Sequence, residues 1–119
     1  GGAALVSHDC LFCKIVAREL DSDIVFEDDE LLAFRDISPQ APTHLLVIPK
    51  RHVGTANELA AGDAGLVGNM VLRARALAAE AGIDESGYRL IMNCNPEGGQ
   101  TVYHVHLHLL GGRQLTSLG

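Results

Sequence analysis

The sequence has no tryptophan, and only 4% of its residues are aromatic. No apolar run approaches the roughly 20 residues of a membrane-spanning helix, so no membrane partner is expected. Basic residues are scarce: nine Lys and Arg stand against fifteen Asp and Glu, for a net charge of −6. A protein that grips DNA or RNA along its backbone carries a basic stripe, and none is present, so neither nucleic acid is an expected partner. A single nucleotide is different, because backbone N–H groups and a few side chains can hold it. Cysteine is also sparse. Three is an odd number, and Cys10 and Cys13 are too close for a long-loop staple, so a reducing cytoplasm fits better than an oxidising compartment. The start, Gly1 to Val6, lacks the basic and long apolar regions of a secretory leader. What remains fits one domain over residues 1–119, with an N-terminal tail at 1–9 and a C-terminal tail at 112–119. The 47% hydrophobic content is enough for a real core.

The patterning alternates between short strands and helices. Leu11, Phe12 and Ile15 share one side at helical spacing, predicting a short helix from about Leu11 to Arg18 with Asp9 as its N-cap. Ile24 to Phe26 and Leu31 to Phe34 flank the acidic turn Glu27 to Glu30 and read as a hairpin. Ser38 to Pro42 holds two prolines and breaks regular structure. Leu45 to Ile48 is a third strand, buried on both faces and ended by Pro49. Thr55-Ala56-Asn57-Glu58 matches a capping box. The run Leu66, Val67, Met70, Val71, Ala74, Leu77, Ala78 and Ala81 predicts a long helix over Asp63 to Ala81, stopped by Gly82. Tyr88 to Met92 is a fourth strand, Asn93 to Thr101 a loop, and His104 to Leu110 a fifth strand closed by Gly111-Gly112. These elements predict an α+β domain, a five-stranded antiparallel sheet with its helices on one side.

The chemistry concentrates in His104-Val105-His106-Leu107-His108. Strand alternation turns the three imidazoles to one face, within about 14 Å, and Val105, Leu107 and Leu109 to the core. Such a row can be three exposed histidines, a three-His metal site, or a nucleophile with a neighbouring proton donor. No carboxylate lies close in sequence to complete a metal site, which favours the nucleophile. The lead-in, Asn93 to Tyr103, supports the same reading. Gly98-Gly99 alone is a turn, but just before clustered histidines it suits a phosphate cradle, with Gln100 and Thr101 adding side-chain donors.

The pattern His-φ-His-φ-His-φ-φ, met by His104 to Leu110, resembles the histidine triad (HIT) superfamily. Phe34 to His44, Val47 to Lys50 and Gly98 to Arg113 look like its Hint branch, the purine nucleoside phosphoramidases. The resemblance runs from about Cys10 to Arg113. It implies a HIT-like fold with one short and one long helix, its sheet extended across a two-fold homodimer through Tyr88 to Asn93. Leu90, Met92 and the Leu66/Met70 face of the long helix would meet their mates there. It implies a hydrolase that binds a purine nucleotide and cleaves nucleoside 5′-phosphoramidates, with His106 attacking the α-phosphorus to form a nucleotidyl-histidine. His108 would bond phosphate oxygens, and His44 and His104 would complete the proton network. Asp36 would accept the ribose hydroxyls. Leu11, Phe12, Ile15, Phe34, Ile37 and Leu46 would wall a slot for the base, unless they are core. Asn93, Gly99 and Thr101 would face the phosphate and leaving group. A dinucleoside polyphosphate hydrolase, or a nucleotide-binding regulator with incidental catalysis, is the alternative. No metal is required for this chemistry, since histidines and backbone donors can offset the developing charge.

Cys10-Leu11-Phe12-Cys13 sets two thiols at i, i+3 on one side of a helix start. Alone, the motif fits half a zinc site, a redox pair or two buried small hydrophobes. Some HIT relatives hold zinc with this pair and two histidines, which here would be His52 and His104. That Zn2+ would be structural, with all four positions filled by protein. The tail Leu115 to Gly119 departs from the branch, because it lacks the aromatic found in eukaryotic members. Cys94 has no assigned role.

Overall fold

The computed structural model describes residues 9–119. The leader reading, and all of the expected N-terminal tail except Asp9, lie outside the described residues. The element order is α1 (Leu11–Val16), β1 (Ile24–Glu27), β2 (Leu31–Arg35), β3 (Thr43–Pro49), α2 (Ala64–Glu80), β4 (Tyr88–Ile91), α3 (Asn95–Gly98) and β5 (Leu107–Gly111). The five strands form one antiparallel sheet in the order β1-β2-β3-β5-β4.

Both faces of the sheet are covered, which corrects the expectation of helices on one side. Leu31, Ala33, Leu45, Val47, Leu107 and Leu109 pack with Met70, Ala74, Leu77 and Ala78 of α2. The alternate residues Leu32, Phe34, Leu46 and Ile48 pack with Phe12, Cys13 and Ile15 of α1. The period of two along β2 and β3 thus sends successive apolar residues to different helices, which is why these strands read as continuous apolar runs.

The helix ends also differ from expectation. The N-cap of α1 is Cys10, whose Sγ accepts the Cys13 N–H at 3.3 Å, and not Asp9. The helix stops at Val16 because Arg18 takes a left-handed φ of +64°. At α2, Gly82 has φ +74°; its N–H reaches the Ala79 carbonyl, and the Ile83 N–H reaches that of Ala78. That is a Schellman stop, as the glycine predicted. Thr55 precedes a 3-10 turn at Ala56–Glu58 but makes no side-chain capping bond. The reach-back bond is made one turn later, where Asp63 Oδ2 accepts the Ala60 N–H at 2.9 Å. Within the expected α2 stripe, Val71 is exposed, while Met70 is fully buried in the protomer's own core. Met70 therefore cannot supply a dimer surface.

The fifth strand begins three residues later than predicted. β5 pairs with β3 only as far as Leu107 opposite Val47. Beyond that point β3 ends in Pro49, which has no N–H to offer a ladder. His104 to His106 run past unpaired with β3, pinned by the Val105 N–H on the Val53 carbonyl at 2.6 Å. The expected loop before it holds a helical turn, α3, ended by Gly99 at φ +89°.

Candidate active site

His44 and His108 lie on the α1 face of the sheet, as diagonal neighbours across β3 and β5: Leu46 stands opposite His108, and His44 opposite Leu110. His106 enters the same face from the extended lead-in. Its ring lies 4.9 Å from that of His108 and meets the Phe12 ring edge-on at 5.1 Å, between centroids.

The hydrogen bonds assign the ring protons. His106 Nδ1 is 2.7 Å from the His104 carbonyl oxygen. A carbonyl only accepts, so Nδ1 carries the proton and Nε2 holds a lone pair. The Gln40 backbone N–H donates to His44 Nδ1 at 3.0 Å. His44 therefore carries its proton on Nε2, which lies 2.9 Å from His108 Nδ1 and 3.4 Å from Asp36 Oδ2. His108 Nδ1 then accepts, and His108 Nε2 is left as an N–H donor. Burial pushes His106 and His44 below the usual imidazole range, with the Asp36 charge opposing it. His108 is pushed down to about 4, first by burial and then by neighbouring His106 and His44. All three rings are therefore neutral near neutral pH. A lone pair on His106 stands beside a ring donor on His108, which is the equipment for nucleophilic attack on an anionic centre.

The His104 ring is elsewhere. Its Nδ1 lies 3.3 Å from Cys10 Sγ, 3.5 Å from Cys13 Sγ and 3.3 Å from His52 Nδ1. Cys13 Sγ lies 3.4 Å from His52 Nδ1. A tetrahedral zinc with ordinary bond lengths gives N···N edges of about 3.3 Å and S···N edges of about 3.5 Å. The four side chains thus fit such an ion. His104 Nε2–H donates to the Pro49 carbonyl at 2.7 Å, which leaves Nδ1 as the ligating lone pair. Burial holds His104 at about 4, so it is neutral. Asp36, His44 and His108 also converge, but they do not suit a cation. Ligation by His44 Nε2 would require a proton on Nδ1, where the Gln40 N–H already points.

Several expected site residues take other places. The His104 ring does not join the His44–His108 chain; its carbonyl orients His106 instead. Gln100 is buried: it accepts from the Asn95 N–H and donates to the Gly54 and Val102 carbonyls, so its amide is committed to the fold. Phe12, Ile15, Phe34 and Leu46 form core beneath the site, whereas Leu11 is exposed and Ile37 is 93% exposed. Asp36 Oδ1 accepts the Ser38 N–H at 2.8 Å, and the carboxylate remains half-buried at the rim. Gly99 and Thr101 are exposed, and Asn93 is half-buried with its amide facing Gly99. The groups that sequence reasoning missed are the Gln40 amide, the His104 and Pro49 carbonyls, and Arg113. Three of them are backbone. Arg113 could have been found from the pairing of Gly111 with Thr43, which brings the following residues against the loop preceding β3.

Cavities elsewhere do not compete with this site. One of about 680 Å3 at the start of α2 includes Lys50 and Arg51, whose cations are engaged by Glu27 and Asp63. Another, of about 470 Å3, lies between Leu11, His52, Thr101 and Tyr103, beside the thiol cluster.

A family model described as HIT domain matches residues 17–115. The purine nucleoside phosphoramidase of Escherichia coli K12 is 53% identical over 110 residues, covering 92% of each chain. The crystal structure of a HIT family hydrolase from Legionella pneumophila is 57% identical, with a TM-score of 0.90, covering 91% of this chain and 96% of that one. A histidine triad protein from Clostridium difficile is 40% identical, with a TM-score of 0.91, covering 95% and 98%.

Proposed function

The chain belongs to the HIT domain family, and from that premise we propose that it hydrolyses purine nucleoside 5′-phosphoramidates to the nucleoside monophosphate and an amine. The observation that carries this reading is His106, with Nδ1–H held on the His104 carbonyl and its Nε2 lone pair beside the His108 ring. In the first step His106 Nε2 attacks the α-phosphorus. The P–N bond to the amine breaks, its electron pair leaves with nitrogen, and the amine takes a proton from solvent. In the second step water attacks phosphorus and gives up its proton to solvent, the bond to Nε2 breaks, and the lone pair returns to His106. His108 Nε2–H offsets charge on the phosphoryl oxygens in both steps. Asp36 at the rim accepts ribose hydroxyls, and Leu11 and Ile37 flank the base. The test compares turnover of adenosine 5′-phosphoramidate, turnover of a diadenosine polyphosphate, and AMP binding alone. Preferred turnover of the phosphoramidate supports the reading. Preference for the polyphosphate, or binding without turnover of either, contradicts it.

Cys10, Cys13, His52 and His104 are proposed to hold a structural Zn2+, which when bound supplies a rigid tie between α1 and the triad lead-in and no catalytic step. Elemental analysis of protein purified without chelators is expected to give about one zinc per chain. A two-fold dimer through β4 is proposed as well. β4 is an edge of the sheet, and Leu66, Leu90 and Met92 are only partly buried. Sedimentation at micromolar concentration distinguishes dimer from monomer. Among the described residues no helix is long and apolar enough to cross a membrane, and two clustered thiols suit the reducing cytoplasm proposed as its location.

A further inference from the structure

We propose that the backbone amide of Gln40, held in place by Gly112 and Arg113 of the C-terminal tail, fixes the tautomers of His44 and His108, so that His108 presents an N–H to the substrate. The inference rests on the reading above only for its effect on turnover. Its geometry stands alone.

Residues 36–42 form an exposed loop with two prolines, a segment that would ordinarily be loosely held. Here it is tied at several points. The Asp36 N–H donates to the His44 carbonyl at 3.0 Å, and the Ser38 N–H to Asp36 Oδ1 at 2.8 Å. The Gln40 side chain donates to the Ser38 carbonyl at 2.8 Å. From the tail, Arg113 Nη2 donates to the Gln40 carbonyl at 2.8 Å, and Nη1 to that of Gln114 at 3.0 Å. Gly112, at φ +95°, lies so close to Pro42 that a Cβ there would come within 2.9 Å of the proline Cβ. Tail and loop are thus joined by a charged hydrogen bond at the Gln40 carbonyl and a steric contact two residues further on, at Pro42.

The consequence passes along three rings. The Gln40 N–H can only donate, so His44 Nδ1 must accept and Nε2 must carry the proton. Asp36 Oδ2, at 3.4 Å, favours a proton on the same nitrogen. His44 Nε2–H then faces His108 Nδ1, and the His108 proton moves to Nε2. Were His44 reversed, His108 would hold its proton on Nδ1 and turn a lone pair toward an anionic phosphoryl group. His106, anchored by a carbonyl rather than an amide, takes the opposite tautomer. Adjacent triad histidines thereby become nucleophile and donor. Arg113 is a positioning residue in this scheme, since it acts only through the loop.

The test is 15N–1H long-range correlation of the imidazoles in the full chain, without substrate, near pH 7.5. The expected pattern is Nδ1–H for His106 and Nε2–H for His44 and His108. Gln40→Ala keeps the amide and should keep the pattern. Gln40→Pro removes the amide and should move His44 and His108 toward Nδ1–H, leaving His106 unchanged. Arg113→Ala should give a mixed population at His108 and lower kcat about tenfold with little change in AMP affinity, and Arg113→Lys should recover most of both. A wild-type His108 protonated on Nδ1 overturns the proposal, as does a folded Gln40→Pro protein with the wild-type pattern. If Gln40→Pro does not fold, the wild-type and Arg113→Ala spectra decide; an unmoved pattern and kcat in Arg113→Ala removes the tail from the scheme. The spectra need no turnover, so a chain that fails to cleave phosphoramidates still answers this question.

Discussion

On one face of the sheet, His52 and His104 turn ring nitrogens toward two thiols, whereas His44 and His108 turn ring nitrogens toward each other. The side chains are chemically the same, and both clusters are mostly buried. What separates them is the backbone group that meets the outer nitrogen. His104 meets a carbonyl, which draws the proton outward and leaves a lone pair facing the sulfurs. His44 meets an amide, which drives the proton inward and leaves a donor facing His108. The first arrangement suits a cation, and the second excludes one. His104 joins the two, because its ring sits among the thiols while its carbonyl orients His106. Stability is therefore expected to concentrate in one cluster and chemistry in the other.

Substitutions that separate the two clusters give the largest effects. His106→Gly should lower kcat on the order of 10^4-fold or more, with AMP affinity and melting temperature near wild type; steady-state kinetics and calorimetry check this. Cys13→Ala should do the reverse. It should abolish zinc retention and lower the melting temperature by roughly 10 °C or more, loosening α1, while the triad tautomers shift less. A Cys13→Ala protein as stable as wild type would mean that the thiols merely pack.

Gln100→Ala should destabilise by about 1–3 kcal/mol in denaturant unfolding, because the Gly54 and Val102 carbonyls lose their donor. A comparable loss of nucleotide affinity without loss of stability would return Gln100 to the phosphate site.

The last effect expected is a pH dependence. His108 titrates near 6.5 when unfolded and at about 4 when folded. Between those values the unfolded chain binds more protons, so stability falls as pH drops from 6.5 toward 4 and then levels off. In His108→Gln this part of the slope should disappear, so urea midpoints from pH 7 to 4 should decline less steeply than in wild type.

Much of this was legible in the sequence. The five strands, the long helix and its glycine stop follow from apolar spacing and Gly82. The thiol cluster follows from Cys10-x-x-Cys13 once the HIT resemblance supplies His52 and His104. The misreadings have physical causes. His104 to Leu110 alternates like one strand, but pairing depends on the partner, and Pro49 ends it. Gln100 looks like a phosphate donor because a polar residue beside Gly-Gly carries no sign of burial. The roles of the Gln40 amide and the His104 carbonyl have no side-chain signature. They emerge only when the loop before β3 and the lead-in to β5 are folded against the histidines.

The most direct test of the nucleophile is to trap it. Wild-type protein is mixed with adenosine 5′-phosphoramidate, quenched within milliseconds under alkaline denaturing conditions that preserve phosphorus–nitrogen bonds, and digested for mass spectrometry. The expected result is an adenylyl group on the peptide containing His106, assigned to that residue and absent in His106→Gly. Rapid turnover with no adenylylated peptide, or adenylylation of His44 or His108 in its place, would contradict the assignment of His106 as the nucleophile.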